Sequence, residues 1–179
     1  MAEGGMPAVS AEITAEIESA TADNFAHYIA NRTAEEIAED EKKTEKFQTD
    51  EEYKGKMMAG LTQAFTDADA NNDGQLDEQE FKAFHAKLNE MQKERGEFVD
   101  EREGQADKWY SCASRIQPET TGISMMDFFA VMGVSMKKFL ELKAASKQWA
   151  SCKMWCRFNL IFRHSYPFLL LSIDHYLWF

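Results

Sequence analysis

The stretch that decides the fold is "DADANNDGQLDEQEF", from Asp67 to Phe81. Acidic and amide side chains stand at alternate positions, a single glycine interrupts them, and a glutamate closes the run just before a phenylalanine. Like charges a few ångströms apart repel by about 1 kcal/mol per pair in water, and by more when they are partly buried. The pattern therefore predicts that a cation binds among these side chains.

The spacing of the oxygen-bearing residues indicates which cation this is. A Ca²⁺ site needs six to eight oxygen ligands from a short chain, and therefore inward-pointing residues around one sharp turn. Gly74 suits that turn because glycine tolerates positive φ. The six predicted donors, with Gln75 acting through its backbone carbonyl, are Asp69, Asn71, Asp73, Gln75, Asp77 and Glu80. Leu76 is predicted to turn inward and pair with a neighbouring loop.

This loop and its flanks resemble the EF-hand family of helix–loop–helix proteins. Apolar residues lie on one face of the predicted helix on each side of the loop: Leu61, Ala64, Phe65 and Ala68 before it, and Phe81, Phe84, Leu88 and Met91 after it. The resemblance implies an all-α fold in which two such hands pair through a short β bridge, with Ca²⁺ as the cofactor. We expect the calcium-binding hand to span residues 50–95.

A degenerate second hand is predicted over residues 97–145. Trp109, Cys112, Ala113 and Ile116 form one apolar face, and Phe128, Val131 and Met132 follow the loop. Both faces fit only if the loop runs from Gln117 to Asp127, one residue short, with Gly122 keeping the turning role. This loop lacks the first carboxylate and the long closing one, so no Ca²⁺ is predicted here. Its role is predicted to be structural, with Leu76 facing Ile123; the alternative is an ordinary helix–turn–helix.

Two extensions flank this pair. Residues 1–49 are predicted to form an acidic helical extension, in which Thr33 and Glu36 make a capping box that starts a second, solvated or bracing helix. Residues 146–179 are predicted to be an irregular, hydrophobic tail rich in aromatic residues. The net charge of the whole chain is −11, yet residues 149–179 carry +2, which leaves −13 for residues 1–148.

Three interpretations of this tail stay open. It could dock into the protein's own groove, bind a membrane surface or a partner, or be foreign to the ancestral domain. Its longest uncharged run, Ser165 to Ile173, is far shorter than the roughly 20 residues that cross a bilayer.

Composition narrows the functional class. Excess negative charge disfavours nucleic acid as a partner, because phosphate binding requires positive charge. Three cysteines without a CxxC arrangement predict a reducing compartment, and the N-terminal stretch resembles no signal peptide, so a cytoplasmic location is expected.

No enzymatic function is predicted, because the sequence has no glycine-rich phosphate loop and no nucleophile beside a base. His85 is predicted to be a packed imidazole rather than a catalyst.

The predicted function is Ca²⁺ binding, as an intracellular sensor or regulatory adaptor that grips a target protein helix. Flexible methionines are typical of surfaces that sensors expose, and five occur at Met125, Met126, Met132, Met136 and Met154. The same methionines could be core filler. Two alternatives therefore remain: a calcium buffer without a partner, or a structural protein anchored to a membrane or a partner through the C-terminal tail.

Overall fold

The computed structural model describes residues 6–165, and side chains over residues 6–146. It is mainly helical with one two-stranded sheet, which confirms the predicted all-α fold class. Its elements are α1 (Ala11–Asn31), α2 (Ala34–Thr49), α3 (Glu51–Ala68), β1 (Gln75–Leu76), α4 (Glu78–Glu94), α5 (Gln105–Ala113), β2 (Ile123–Ser124) and α6 (Met125–Ser165). The chain divides into two compact units, Met1–Phe139 and Leu140–Phe179.

Side-chain caps explain where the first three helices begin. The Ser10 hydroxyl caps α1, and the Asp50 carboxylate caps α3 by accepting the backbone N–H of Tyr53 at 2.9 Å. The predicted capping box of α2 is confirmed, since Thr33 and Glu36 each accept the other's backbone N–H. Such caps satisfy amide groups that have no partner inside the helix.

One hydrophobic core joins the helices around the first loop to the helices around the second loop. Phe84 lies at its centre with no exposed surface, in edge-on contact with Phe65 of α3 and Phe128 of α6, at ring-centroid distances of 5.6 and 5.0 Å. The predicted apolar faces around the first loop are confirmed, because each of their members is buried or packs against this core. The face predicted before the second loop is confirmed in the same way.

The apolar face predicted after the second loop is only partly correct. Phe128 and Val131 are buried as expected, but Met132 is 42% exposed, so its assignment to the core is wrong. Val131 already occupies the inward direction of that helical turn, and the next residue is rotated by about 100° around the helix axis. Met132 therefore points away from the core.

The N-terminal helices belong to the same compact unit. Ile13 and Ile17 of α1 are buried members of the common core, whereas α2 has no buried residue. The acidic α2 acts as a brace: Lys43 donates from its Nζ to the backbone carbonyls of Arg95 and Gly96, at 2.8 and 3.1 Å. It thereby holds the segment that joins α4 to α5.

The described part of the second unit is helical. The prediction of an irregular tail from residue 146 is wrong as far as Ser165, where α6 extends. Residues 147–165 contain neither glycine nor proline, so nothing in that stretch interrupts the backbone hydrogen bonding of a helix. The rest of the predicted tail, residues 166–179, lies outside the described residues. Over the described chain, no helix combines the length and the hydropathy that crossing a membrane requires.

Partial burial of His85 is expected to make stability dependent on pH. This α4 side chain lies beside Phe81, and burial lowers the pKa of its imidazole, an effect that the charge of Asp100 only partly offsets. The unfolded chain therefore binds a proton more readily than the folded one as pH falls through about 6.5. We expect the free energy of unfolding in urea to be lower at pH 5.5 than at pH 7.5, and His85→Gln to reduce that difference. An equal pH dependence in the variant would exclude His85 as its source.

Candidate metal centre

The first loop has the backbone that its sequence predicts. Helix α3 ends at Ala68, and the chain then turns through Asn72 and Gly74, whose φ angles are 57° and 81°. The turning role predicted for Gly74 is therefore confirmed, since positive φ favours glycine. Asparagine is among the few other residues that adopt this conformation readily. Strand β1 follows at once, so the loop is a tight turn between a helix and a short strand.

Asp69 anchors the loop at its start. Only 8% of its surface is exposed, and its two carboxylate oxygens accept the backbone N–H groups of Asp73 and Gly74 at 3.1 and 2.8 Å. A buried carboxylate is stable only when hydrogen bonds or charges compensate for its lost hydration. Two amides from the opposite side of the turn therefore fix Asp69 toward the interior of the loop.

The next two predicted metal ligands, Asn71 and Asp73, hold the turn by accepting local hydrogen bonds. The Asn71 side-chain oxygen accepts the N–H of Asp73, and the Asp73 carboxylate accepts the N–H of Gln75, both at 2.8 Å. Asparagine and aspartate commonly accept the amide two residues further along, which imitates a backbone turn. The polar side chains at alternate positions of the loop thus accept backbone amides and hold the turn in shape.

Glu80 closes the loop from the first turn of α4. One of its carboxylate oxygens accepts the N–H of Asp77 at 2.9 Å, and the other accepts the N–H of Ala70 at 3.0 Å. In return the Asp77 carboxylate accepts the N–H of Glu80 at 2.9 Å, which completes a capping box at the start of α4. Because Ala70 directly follows Asp69, the Glu80 side chain spans the loop from its end to its beginning.

The donor set consists of oxygen alone, and it is strongly negative. Four of the six predicted ligands are carboxylates, and no lysine or arginine occurs between residues 69 and 80. Within residues 6–146, however, no three His, Cys, Asp or Glu side chains converge as a metal-binding cluster. The loop carboxylates turn toward backbone amides instead. Two further predicted ligands are neither His, Cys, Asp nor Glu side chains. Asn71 would use its side-chain amide oxygen, and Gln75 its backbone carbonyl.

The second loop is closed by its own side chains. Asp127 is 1% exposed, and its carboxylate accepts hydrogen bonds from the Gln117 amide at 2.8 Å, the Ser124 hydroxyl at 2.6 Å and the Ser124 N–H at 3.0 Å. Gln117 and Asp127 are the two ends of the predicted short loop. Sequence reasoning missed the bonds between Ser124 and Asp127, although "SMMD" is the pattern of a capping box.

The chain bends at Gly122 as predicted, but not through the positive φ that would explain a glycine there. The described glycines with positive φ are Gly74, Gly96 and Gly104, and Gly122 is not among them. It is required for a different reason: a Cβ atom at this position would lie 2.8 Å from the carbonyl oxygen of Leu76. Glycine is present because the other loop approaches closely.

The two loops meet in an antiparallel bridge. Leu76 pairs with Ile123 and Gln75 pairs with Ser124, which confirms the predicted facing of Leu76 and Ile123. Both apolar residues are fully buried. The Gln75 side chain also accepts the N–H of Gly122 at 3.0 Å, a contact that no sequence pattern indicated.

Comparison of the chain with protein-family models, with curated proteins and with solved structures gives no match.

Proposed function

We propose that the protein binds one Ca²⁺ ion in the loop from Asp69 to Glu80, within a pair of EF-hand-like units. The ligands would be Asp69, Asn71, Asp73, Gln75 through its carbonyl, Asp77 and Glu80. The observation that carries the proposal is the placement of Glu80, whose carboxylate reaches back to the N–H of Ala70 at the start of the loop. The antiparallel bridge and the common core support the pairing of the two units.

The donor chemistry fits Ca²⁺ better than other common ions. Carboxylate, amide and carbonyl oxygens are hard ligands that suit Ca²⁺ and Mg²⁺, whereas zinc sites in proteins are built mainly from cysteine and histidine. Mg²⁺ requires a tighter octahedron and gives up its water reluctantly. A bound divalent ion would also neutralise the repulsion among four neighbouring carboxylates.

The positions of the two end ligands indicate what ion binding would do to the fold. Asp69 directly follows α3, and Glu80 lies in the first turn of α4. An ion held by both carboxylates would link the end of one helix to the beginning of the next. We therefore expect Ca²⁺ to stabilise the first helix pair against unfolding, by an amount that grows with the logarithm of the ratio of free ion to its dissociation constant.

Calorimetric titration of the full chain tests the proposal. We expect about one Ca²⁺ ion per chain, tighter binding than for Mg²⁺, and protection of the loop against protease when Ca²⁺ is present. The double variant Asp69→Asn, Asp73→Asn should lose this binding, because it removes two carboxylates while keeping side chains of similar shape. Absence of heat, spectral change and protease protection in the unaltered chain would contradict the proposal.

Exposed methionines favour a sensor over a simple buffer. Met126, Met132 and Met136 of α6 are 37%, 42% and 45% exposed, so a partner could contact these large apolar side chains. Methionine adapts its shape to different partners, so such residues suit the binding of a target helix. An apolar dye should fluoresce more strongly after Ca²⁺ is added if the protein is a sensor. Ca²⁺ uptake without a change in dye fluorescence would favour the buffer.

A further inference from the structure

The ion-binding loop and the second loop are joined by a side chain as well as by the bridge. Gln75 supplies a predicted backbone ligand, and its side-chain oxygen accepts the Gly122 N–H at 3.0 Å. The pairing of Gln75 with Ser124 fixes the backbone of the same residue. Gln75 is thus held on the second loop by both its main chain and its side chain.

Gly122 packs directly on the segment that follows this ligand. A Cβ atom at Gly122 would lie 2.8 Å from the Leu76 carbonyl oxygen, 3.0 Å from its carbonyl carbon and 3.1 Å from the Cβ of Gln75. Any larger residue would force the backbone of Leu76 to move. The contact therefore sets the distance between the two loops at the position where the first loop would supply its carbonyl.

The second loop presents Gly122 from a turn held by hydrogen bonds. The Thr120 hydroxyl lies 2.8 Å from the carbonyl oxygen of Gln117 and 3.0 Å from that of Gly122, and its single proton is shared between these two acceptors. The Gln117 amide in turn donates to the buried Asp127 carboxylate. Gly122 is therefore fixed by side chains of its own loop, without any need for an ion there.

We propose that Gly122 and the Gln75 side chain are positioning residues, through which the second loop sets the Ca²⁺ affinity of the first. This inference rests on the proposed function. Holding the Gln75 backbone before the ion arrives removes part of the conformational entropy that binding would otherwise cost. The second loop thus acts on affinity although it supplies no ligand.

The matched variants Gln75→Met and Gln79→Met test this role in the full chain. Both replace a glutamine of the first loop, but Gln79 is exposed and its side chain has no hydrogen-bond partner among the described residues. In ion-free protein, the Gly122 amide should exchange hydrogen faster in Gln75→Met alone. Ca²⁺ binding in that variant should weaken by about threefold to tenfold, the scale of one neutral hydrogen bond, and stay unchanged in Gln79→Met.

Gly122→Ala gives a second test that does not depend on that hydrogen bond. Steric displacement of Leu76 should weaken Ca²⁺ binding by about tenfold or more, while circular dichroism shows the helices retained. Faster Gly122 exchange with unchanged affinity in Gln75→Met would overturn the inference and leave the proposed function intact. Absence of Ca²⁺ uptake by the unaltered chain would overturn both.

Discussion

Glu80→Gln weakens Ca²⁺ binding by at least about tenfold and leaves the helical content nearly unchanged; this is the expected result of replacing the closing ligand. The variant removes a full negative charge and one of two oxygens from a side chain that reaches across the loop to Ala70. Helix α4 should persist, because Asp77 still caps its first turn and Phe81 and Phe84 still pack in the core. Calorimetry and far-ultraviolet circular dichroism measure the two effects separately.

The control for this experiment is Glu78→Gln. Glu78 lies two residues before Glu80 in the same helical turn, and its carboxylate pairs with Lys82 at 2.7 Å rather than closing the loop. Both variants lower the net negative charge by one, so long-range attraction of the cation changes equally. A large loss of affinity in Glu80→Gln alone identifies a ligand. Equal losses in both variants would mean that general charge, not the closing carboxylate, governs binding.

The first loop and its flanks could be predicted from the sequence because their determinants are local. Gly74 needs positive φ, Asp77 and Glu80 cap a helix, and apolar residues three or four apart mark the buried face of each helix. Each of these rules depends only on residues close in the chain. For the same reason, the sequence predicts the apolar face before the second loop, given a loop one residue short.

Features that depend on contacts between distant segments could not be predicted in this way. Gly122 is required by the Leu76 carbonyl, which lies 46 residues earlier in the chain, and a turn was the only local explanation for a glycine there. Helix α1 packs in the core through Ile13 and Ile17, yet two isoleucines in a strongly acidic stretch gave no indication of their partners. The ion pairs of Arg115 with Glu12 and Glu16 show where part of that acidity is matched.

Phe84→Ala is expected to lower the free energy of unfolding by about 3–5 kcal/mol, the usual range for removing a large aromatic side chain from a packed core. Phe84 has no exposed surface and contacts aromatic rings from α3 and α6 at once. The lost contacts and the cavity would therefore affect both helix–loop–helix units. Urea unfolding followed by far-ultraviolet and by near-ultraviolet circular dichroism measures the change.

Met132→Ala is the matched control for the core, because it also removes a large apolar side chain, but from an exposed position on α6. Its effect should stay within about 0.5 kcal/mol, as for most surface substitutions. In Phe84→Ala the backbone amides of α4 and of α5 should lose their protection from hydrogen exchange in one urea transition, because one core holds both helix–loop–helix units and they lose stability together. Loss of protection in α5 at a lower urea concentration than in α4 would contradict a common core, and with it the coupling of the two loops, since a second loop that unfolds on its own cannot hold Gln75 in place.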